Sequence, residues 1–289
     1  MEGPSIVILV EECAKFLGQK VIRSSGSSQL INIGSLRGQR LLGLKSWGKH
    51  FIMQFERTNL KIHFMLFGSY TIDKPKPERE PRLAFKFRTG ELFTYACSVR
   101  EIESPLNKLY DWRVDVMARD WDETLVLKKL KALGDMLICD ALLQQDIFAG
   151  AGNIFKNEVL FRVGLRPETK LSTLRESELK LLVREVRLYA YQFLTWKKQF
   201  LLRKNWVVYK RKFCAVCETK TVMKTTGNLQ RRSHYCPKCQ VLRTKVPKKT
   251  VDAAVSERLK SISRQIGELG ELGNNLPTLD TQGGVEKER

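Results

Sequence analysis

Residues 213–240 read FCAVCETKTVMKTTGNLQRRSHYCPKCQ. Two Cys-x-x-Cys pairs, Cys214/Cys217 and Cys236/Cys239, are separated by 18 residues. Two knuckles that each offer two thiolates suit the tetrahedral sphere of zinc, and the spacing lies in the range such sites use. A redox pair is the competing reading of either motif alone. Four thiolates leave no position for water, so a single structural ion is expected. The setting is basic: residues 203–249 carry 14 Lys or Arg and one acid, Glu218. The stretch reads as a zinc-stapled hairpin that faces something negative.

The rest of the chain agrees with that sign. The 289 residues suggest about two domains. A net charge of +20 is an electrostatic footprint for a polyanion, most often nucleic acid. An anionic membrane is the other candidate, but no basic amphipathic anchor helix is evident and no apolar run reaches spanning length. Of the seven cysteines, Cys13, Cys97 and Cys139 fall outside the two pairs, in apolar surroundings. An odd remainder argues against a disulfide framework and for a reducing compartment. With no signal-type segment, a cytoplasmic protein is expected.

The chain starts MEGPSIVILVEECAKFLGQK. Pro4 can open a helix, Ile6, Leu9, Val10, Cys13, Phe16 and Leu17 recur at helical spacing, and Gly18 can end it. Strands are expected at KVIRS, LLGLKSW, HFIMQFE, LKIHFML, LAFKFRT and LFTYACS between residues 20 and 98, which points to a sandwich or barrel. Helices are expected over 123–132, 137–145, 154–162 and 172–196, the last capped by Ser172 or Thr173. From Arg203 the chain returns to strand-like residues.

Between two of those helices lies QQDIFAGAGN at 144–153, followed by IFKNEVLF. Gly150 and Gly152 permit a tight turn. A helix starting at Asn153 would aim backbone N–H groups outward, which makes a phosphate seat. A plain helix–helix turn is the alternative.

Taken in order, MEGP at 1–4, Gly48-Lys49, HFMLFGSY at 63–70, AGAGNIFKNEVLF at 149–161 and RRSHYCPKCQ at 231–240 resemble the formamidopyrimidine-DNA glycosylase / endonuclease VIII family. The resemblance spans residues 1–243. It implies an α+β fold: an N-terminal helix and β-sandwich over 1–118, a helix–two-turn–helix domain over 119–205 and the zinc hairpin over 206–243. Residues 244–289 read as a disordered tail, with room for a short helix around 252–266. The implied activity is base excision. A damaged nucleotide is flipped out of double-stranded DNA, the N-terminal amine attacks the sugar C1′, the base leaves, and the resulting Schiff base drives β- and δ-elimination. The implied protein is a monomer of bacterial, nucleoid-associated type.

The resemblance also implies roles. Met1 supplies the amine, and Glu2 matches the acidic residue beside the nucleophile, which protonates the sugar ring oxygen. Lys49 matches the lysine that meets phosphates beside the lesion. Asn153, after Gly152, matches the phosphate-binding asparagine. Arg231 matches the hairpin-tip arginine that grips phosphates and assists δ-elimination; Arg232 is adjacent and can take that role. Leu66 matches the wedge that fills the gap left by a flipped base, with Met65 and Phe67 able to share it. A strand-core residue is the other reading of Leu66. His63 reads as a strand histidine, and His234 as a spare candidate ligand beside a closed four-cysteine site.

Two departures matter. The family has proline after the initiator methionine, and here Met1 occupies that slot. An α-amine with a pKa of about 7.7–8 is partly neutral near pH 7.5, and a primary amine also forms a Schiff base. Met1 can therefore serve. The alternative is a non-catalytic binder of damaged DNA on the same scaffold. The Asp-Pro-Arg-Arg-Phe string of the 8-oxoguanine-type members is absent near residues 95–100, which leans toward the endonuclease VIII branch and oxidised pyrimidines. A sequence-reading zinc-finger regulator would need base-reading side chains on a groove-fitting element, and none stands out.

Overall fold

The computed structural model describes residues 1–246 and 253–273. The chain forms two compact units, which part between Tyr110 and Asp111 rather than at the boundary of 118 expected from sequence. Among the described residues, Met1 and 5–110 make the first; Glu2–Pro4, 111–246 and 253–273 make the second.

In the first unit, α1 (Gly3–Cys13) and a following 3-10 turn (Ala14–Phe16) turn Ile6, Leu9, Val10, Cys13 and Phe16 inward. These positions recur at helical spacing, so one stripe is buried. Gly18, at φ +73, ends the segment in the left-handed region. The strands are β1 (Arg23–Ser25), β2 (Leu41–Trp47), β3 (His50–Phe55), β4 (Asn59–Ile72), β5 (Leu83–Phe87) and β6 (Gly90–Ile102). They form one antiparallel sheet in the order β1-β5-β6-β4-β3-β2.

The sandwich is this single sheet folded on itself. Phe55 of β3 and Phe85 of β5 stand three strand steps apart, roughly 14 Å in a flat sheet. Their ring centroids are 5.5 Å apart. The lead-in to β1 bridges the open edges: Val21 N–H donates to Gln39 at 2.9 Å and Ile22 N–H to Lys86 at 2.8 Å. The core between the layers holds the α1 stripe with Phe51, Met53, Phe85 and Phe87.

Helix α2 (Leu106–Leu109) closes the first unit; the second contains α3 (Glu123–Ala132), α4 (Ile138–Ala141), α5 (Asn153–Arg162) and α6 (Glu176–Lys198). Helix α4 is shorter than the expected 137–145. Its continuation is a set of turns held by Gln145, whose amide donates to Leu143 O at 2.8 Å and Ala151 O at 3.0 Å. Ser172 and Thr173 lie in a separate 3-10 turn, so they do not cap α6. The cap is at Arg175, whose N–H donates to the Glu178 carboxylate at 3.0 Å. Residues 199–221 contain no strand; the hairpin is β7 (Val222–Thr226) and β8 (Arg231–Tyr235).

The expected tail is in part a helix. α7 (Ala253–Gly273) lays Val255, Leu259, Ile262 and Ile266 against Leu181 and Leu188 of α6. Arg258 also pairs with the buried Glu185 at 2.5 Å. The polar composition of this stretch hides a stripe at helical spacing, which becomes favourable only against α6. The remainder of 247–289 lies outside the described residues.

Candidate active site and metal centre

Chain geometry brings the second residue to the turn before α5. Gly3 N–H donates to Gly150 O at 2.9 Å. The Glu2 carboxylate accepts the N–H groups of Ile154 at 2.8 Å and Phe155 at 3.4 Å. These are first-turn donors of α5, groups that a helix leaves unpaired, and the helix dipole favours the negative charge. The expected phosphate seat is thus already engaged by a carboxylate. Gly152 makes room for it: a Cβ there would lie 2.5 Å from Glu2 Cδ and Oε1.

Helix α5 is also bolted to the hairpin. Asn153 Nδ2 donates to Arg232 O at 3.0 Å, so its amide holds backbone rather than pointing free. The fully buried Lys156 donates to Arg232 O at 3.0 Å and Ser233 Oγ at 2.8 Å. Asn157 Oδ1 accepts His234 N–H at 2.6 Å. The buried Glu158 accepts the N–H groups of Val207, Val208 and Tyr209 at 2.8–3.0 Å. On α4, Asp140 accepts Asn228 N–H at 2.7 Å and Leu229 N–H at 3.2 Å, which docks the hairpin turn. Sequence reading missed Asp140, Lys156, Asn157 and Glu158. Lys156, Asn157 and Glu158 were in the quoted string, but consecutive helical residues point in three directions, so periodicity alone gives them no shared face.

Arg231 and Arg232 are both exposed on β8, while Ser233, His234 and Tyr235 are buried. The Arg231 charge acts on Lys156 and on Tyr209. Burial, with a smaller push from Arg231, brings Lys156 down to about 8. Tyr209 is raised by burial and also senses Asn153, Glu2 and Arg231. Glu2, Asn153, Lys156, Tyr209 and Arg231 therefore form one charged neighbourhood. Arg232 instead acts on His234, whose ring meets Tyr209 edge-on at 5.2 Å.

The first unit carries a second group. Lys49 follows Gly48, which turns the β2–β3 hairpin at φ +54. Burial, then the charges of Lys49, the Met1 amine and Lys61, hold the His63 imidazole below its ordinary value. His63 pairs across strands with His50, ring centroids 5.4 Å apart, and His50 is pushed down to about 4, mainly by burial. Met1 rests its side chain on the sheet core. Burial and the neighbouring cationic groups thus disfavour the charged form of both imidazoles.

Met65, Leu66 and Phe67 are not strand core. The β4–β6 register breaks between Phe64 and Ser69. The intervening residues bulge outward, leaving Leu66 78% and Phe67 75% exposed. Gly68 permits the bulge, because a Cβ there would lie 2.7 Å from Phe64 Cβ.

At the base of the hairpin the ligand atoms of Cys214, Cys217, Cys236 and Cys239 all lie within 4.8 Å of one another. The Cys214–Cys239, Cys217–Cys236 and Cys217–Cys239 sulfurs are 3.9, 3.5 and 3.3 Å apart. A disulfide needs about 2.05 Å, whereas metal–sulfur bonds of about 2.3 Å at tetrahedral angles put sulfurs roughly 3.8 Å apart. Val216 and Cys239 N–H groups point at Cys214 and Cys236 Sγ, each at 3.4 Å. The four cysteines fit a metal ion, and His234 is not among them.

A folded-over sheet with an N-terminal helix, a helix–two-turn–helix unit and a four-cysteine hairpin define a class of DNA-glycosylase scaffold. The formamidopyrimidine-DNA glycosylase N-terminal domain model matches residues 9–100, and the formamidopyrimidine-DNA glycosylase H2TH domain model matches 114–190. The chain belongs to the formamidopyrimidine-DNA glycosylase / endonuclease VIII family. It is similar to mouse endonuclease 8-like 3, 31% identical over 206 residues covering 68% of this chain and 34% of that protein. The formamidopyrimidine-DNA glycosylase of Acinetobacter baylyi is 26% identical over 74% of this chain and 86% of its own length. A crystal structure of the Lactococcus lactis formamidopyrimidine-DNA glycosylase, bound to DNA containing an AP site, has the same fold. Its TM-score is 0.73 at 24% identity, over 83% of this chain and 99% of that one. The chain spans about a third of the length of its endonuclease 8-like 3 relatives, 34% for mouse and 38% for human. No helix among the described residues is long and apolar enough to cross a membrane.

Proposed function

We propose that the chain is a base-excision DNA glycosylase for oxidised bases, with associated AP-lyase cleavage, acting as a monomer on damaged double-stranded DNA. The observation that carries this reading is the engagement of Glu2 with the first turn of α5. It fixes the carboxylate next to the terminal residue, where a proton donor and acceptor is needed. The Met1 amine, in its neutral form, attacks the sugar C1′. The glycosidic bond breaks, and the base departs with its electron pair and a proton. The C1′–O4′ bond then opens, the ring oxygen taking a proton and leaving as the C4′ hydroxyl, and the protonated imine so formed at C1′ is an electron sink for β-elimination at the 3′ side and then δ-elimination. Glu2 moves protons at the sugar ring oxygen.

Lys49 neutralises phosphate beside the lesion, Leu66 fills the vacated stack with Met65 and Phe67 beside it, and Arg231 grips the backbone from the hairpin. Arg231 is chosen over Arg232 because its charge belongs to the Glu2–Asn153–Lys156–Tyr209 neighbourhood. The Asn153 contribution is to hold the hairpin at Arg232 O. The cysteine cluster holds one structural zinc, which when bound cross-links the hairpin base and takes no part in the chemistry.

The test is borohydride trapping on DNA with an abasic site, using protein whose N-terminal residue is verified as Met1 by mass. A covalent adduct, lost when an extra residue is left on the N-terminus, is expected. Tight binding of the same DNA without an adduct would replace this reading by the non-catalytic damage binder, which the methionine in the proline slot favours.

A further inference from the structure

We propose that Lys156 is a positioning residue that presents Arg231 to the DNA backbone. This deepens the proposed function and rests on it. Lys156 is a fully buried lysine whose ammonium is spent on the hairpin: two hydrogen bonds go to Arg232 O and Ser233 Oγ, the two residues that follow Arg231 on β8. An arginine side chain on an exposed two-stranded hairpin has many rotamers and a mobile base. Anchoring the backbone at the next carbonyl and the next hydroxyl sets the direction in which Arg231 leaves the strand. Asn153 donates to the same carbonyl, so α5 holds this point with two donors. A lysine is an expensive group to bury, and purely structural anchoring is available from a neutral donor, as Asn153 shows.

The charge has a use beside Arg231. Bound phosphate stabilises an ammonium behind the arginine that grips it. Lys156, at about 8, changes charge near neutral pH, with burial as the main cause and Cys139, Arg231 and Asp140 acting on it. The Cys139 thiol is raised by burial, the Tyr209 phenol is raised, and His234 is lowered. The sign follows. With phosphate bound the ammonium is favoured, so DNA affinity is highest below about pH 8. It falls as the pH rises through that value, by up to about tenfold between pH 7 and 9.

The experiment is a binding cycle on abasic-site DNA with wild type, Lys156→Met, Lys156→Arg, Arg231→Ala and the Lys156→Met/Arg231→Ala double variant, each checked for bound zinc. Lys156→Met should weaken binding roughly tenfold to a hundredfold, and Lys156→Arg should restore it and flatten the fall above pH 8. The double variant should bind no worse than Arg231→Ala alone, because Lys156 acts through Arg231. A merely structural lysine would give additive losses and parallel pH profiles. Additivity, or Lys156→Met binding like wild type while Arg231→Ala is weak, overturns the inference and leaves the proposed function standing. Wild type that does not bind abasic DNA overturns both.

Discussion

The Glu2 carboxylate accepts the Ile154 N–H at 2.8 Å, which joins the second residue of the chain to the first turn of a helix 152 residues away. That bond converts a local turn, Gly150 to Asn153, into a mount for the Glu2 carboxylate, the group proposed above as the proton donor and acceptor. Gly152→Ala tests it, because the added methyl would lie 2.5 Å from Glu2 Cδ. Backbone strain is not involved, so stability should change by only about 1 kcal/mol or less. Strand cleavage at abasic sites should fall roughly a hundredfold or more, as for a misplaced acid–base group. Cleavage at the wild-type rate would show that Glu2 need not sit there.

Replacing Cys236 by serine should lose the metal and DNA binding together. The four sulfurs cluster at the base of the hairpin, and only 3.5 Å separates Cys236 from Cys217. Zinc content by atomic absorption and affinity by fluorescence anisotropy read both losses. A chelator should have the same effect on wild type. Arg231→Ala, in contrast, should lose affinity with zinc retained.

Asp140→Ala removes the acceptor of two N–H groups in the hairpin turn. Hydrogen bonds to a carboxylate contribute about 1.5–3 kcal/mol each at most, and less where, as here, the donors belong to exposed residues that water can reach, so the melting temperature should drop by a few degrees. Gly227 packs against the same carboxylate, and Gly227→Ala should be at least as disruptive. A melting temperature equal to wild type for both variants would show that the turn is not docked on α4.

Helix α7 should contribute to stability. Ile262 is fully buried between α6 and α7, and Ile262→Ala should cost about 2–5 kcal/mol. Ending the chain after residue 246 should bare Leu181 and Leu188 and leave Glu185 without Arg258. Denaturant unfolding of both variants measures this. Curves that overlay wild type would mean that α7 does not rest on α6.

Leu66→Ala separates function from folding. The side chain is 78% exposed on the bulge, so unfolding free energy should stay within about 0.5 kcal/mol of wild type. Excision of a damaged base from duplex should slow several-fold, since the vacated stack is left unfilled. Cleavage at a pre-formed abasic site in single-stranded DNA, where no stack has to be filled, should be spared.

The sequence by itself determined the parts whose physics is local. Cysteine spacing specified a four-thiolate cluster, because two short knuckles place their own sulfurs. The stripe from Ile6 to Phe16 specified the buried face of α1, and Gly18 its end. Helix α3 and the core of α5 follow from apolar periodicity. The resemblance then supplied the family, carried by strings that lie hundreds of ångströms apart along an extended chain.

What only the tertiary structure decided depends on pairs with no sequence proximity. Alternating strands do not say whether a sheet lies flat or folds over; the Phe55–Phe85 contact does. The exposed N–H groups expected at the start of α5 are engaged by Glu2, and Asn153 is turned to Arg232 O. Nothing near residue 153 encodes either partner. Lys156, Asn157 and Glu158 look like an ordinary solvated run until the hairpin packs over them. Buried polar groups must find donors and acceptors wherever the fold brings them, and that is a property of the assembled chain. The same holds for α7, whose apolar stripe acquires meaning only once α6 stands opposite.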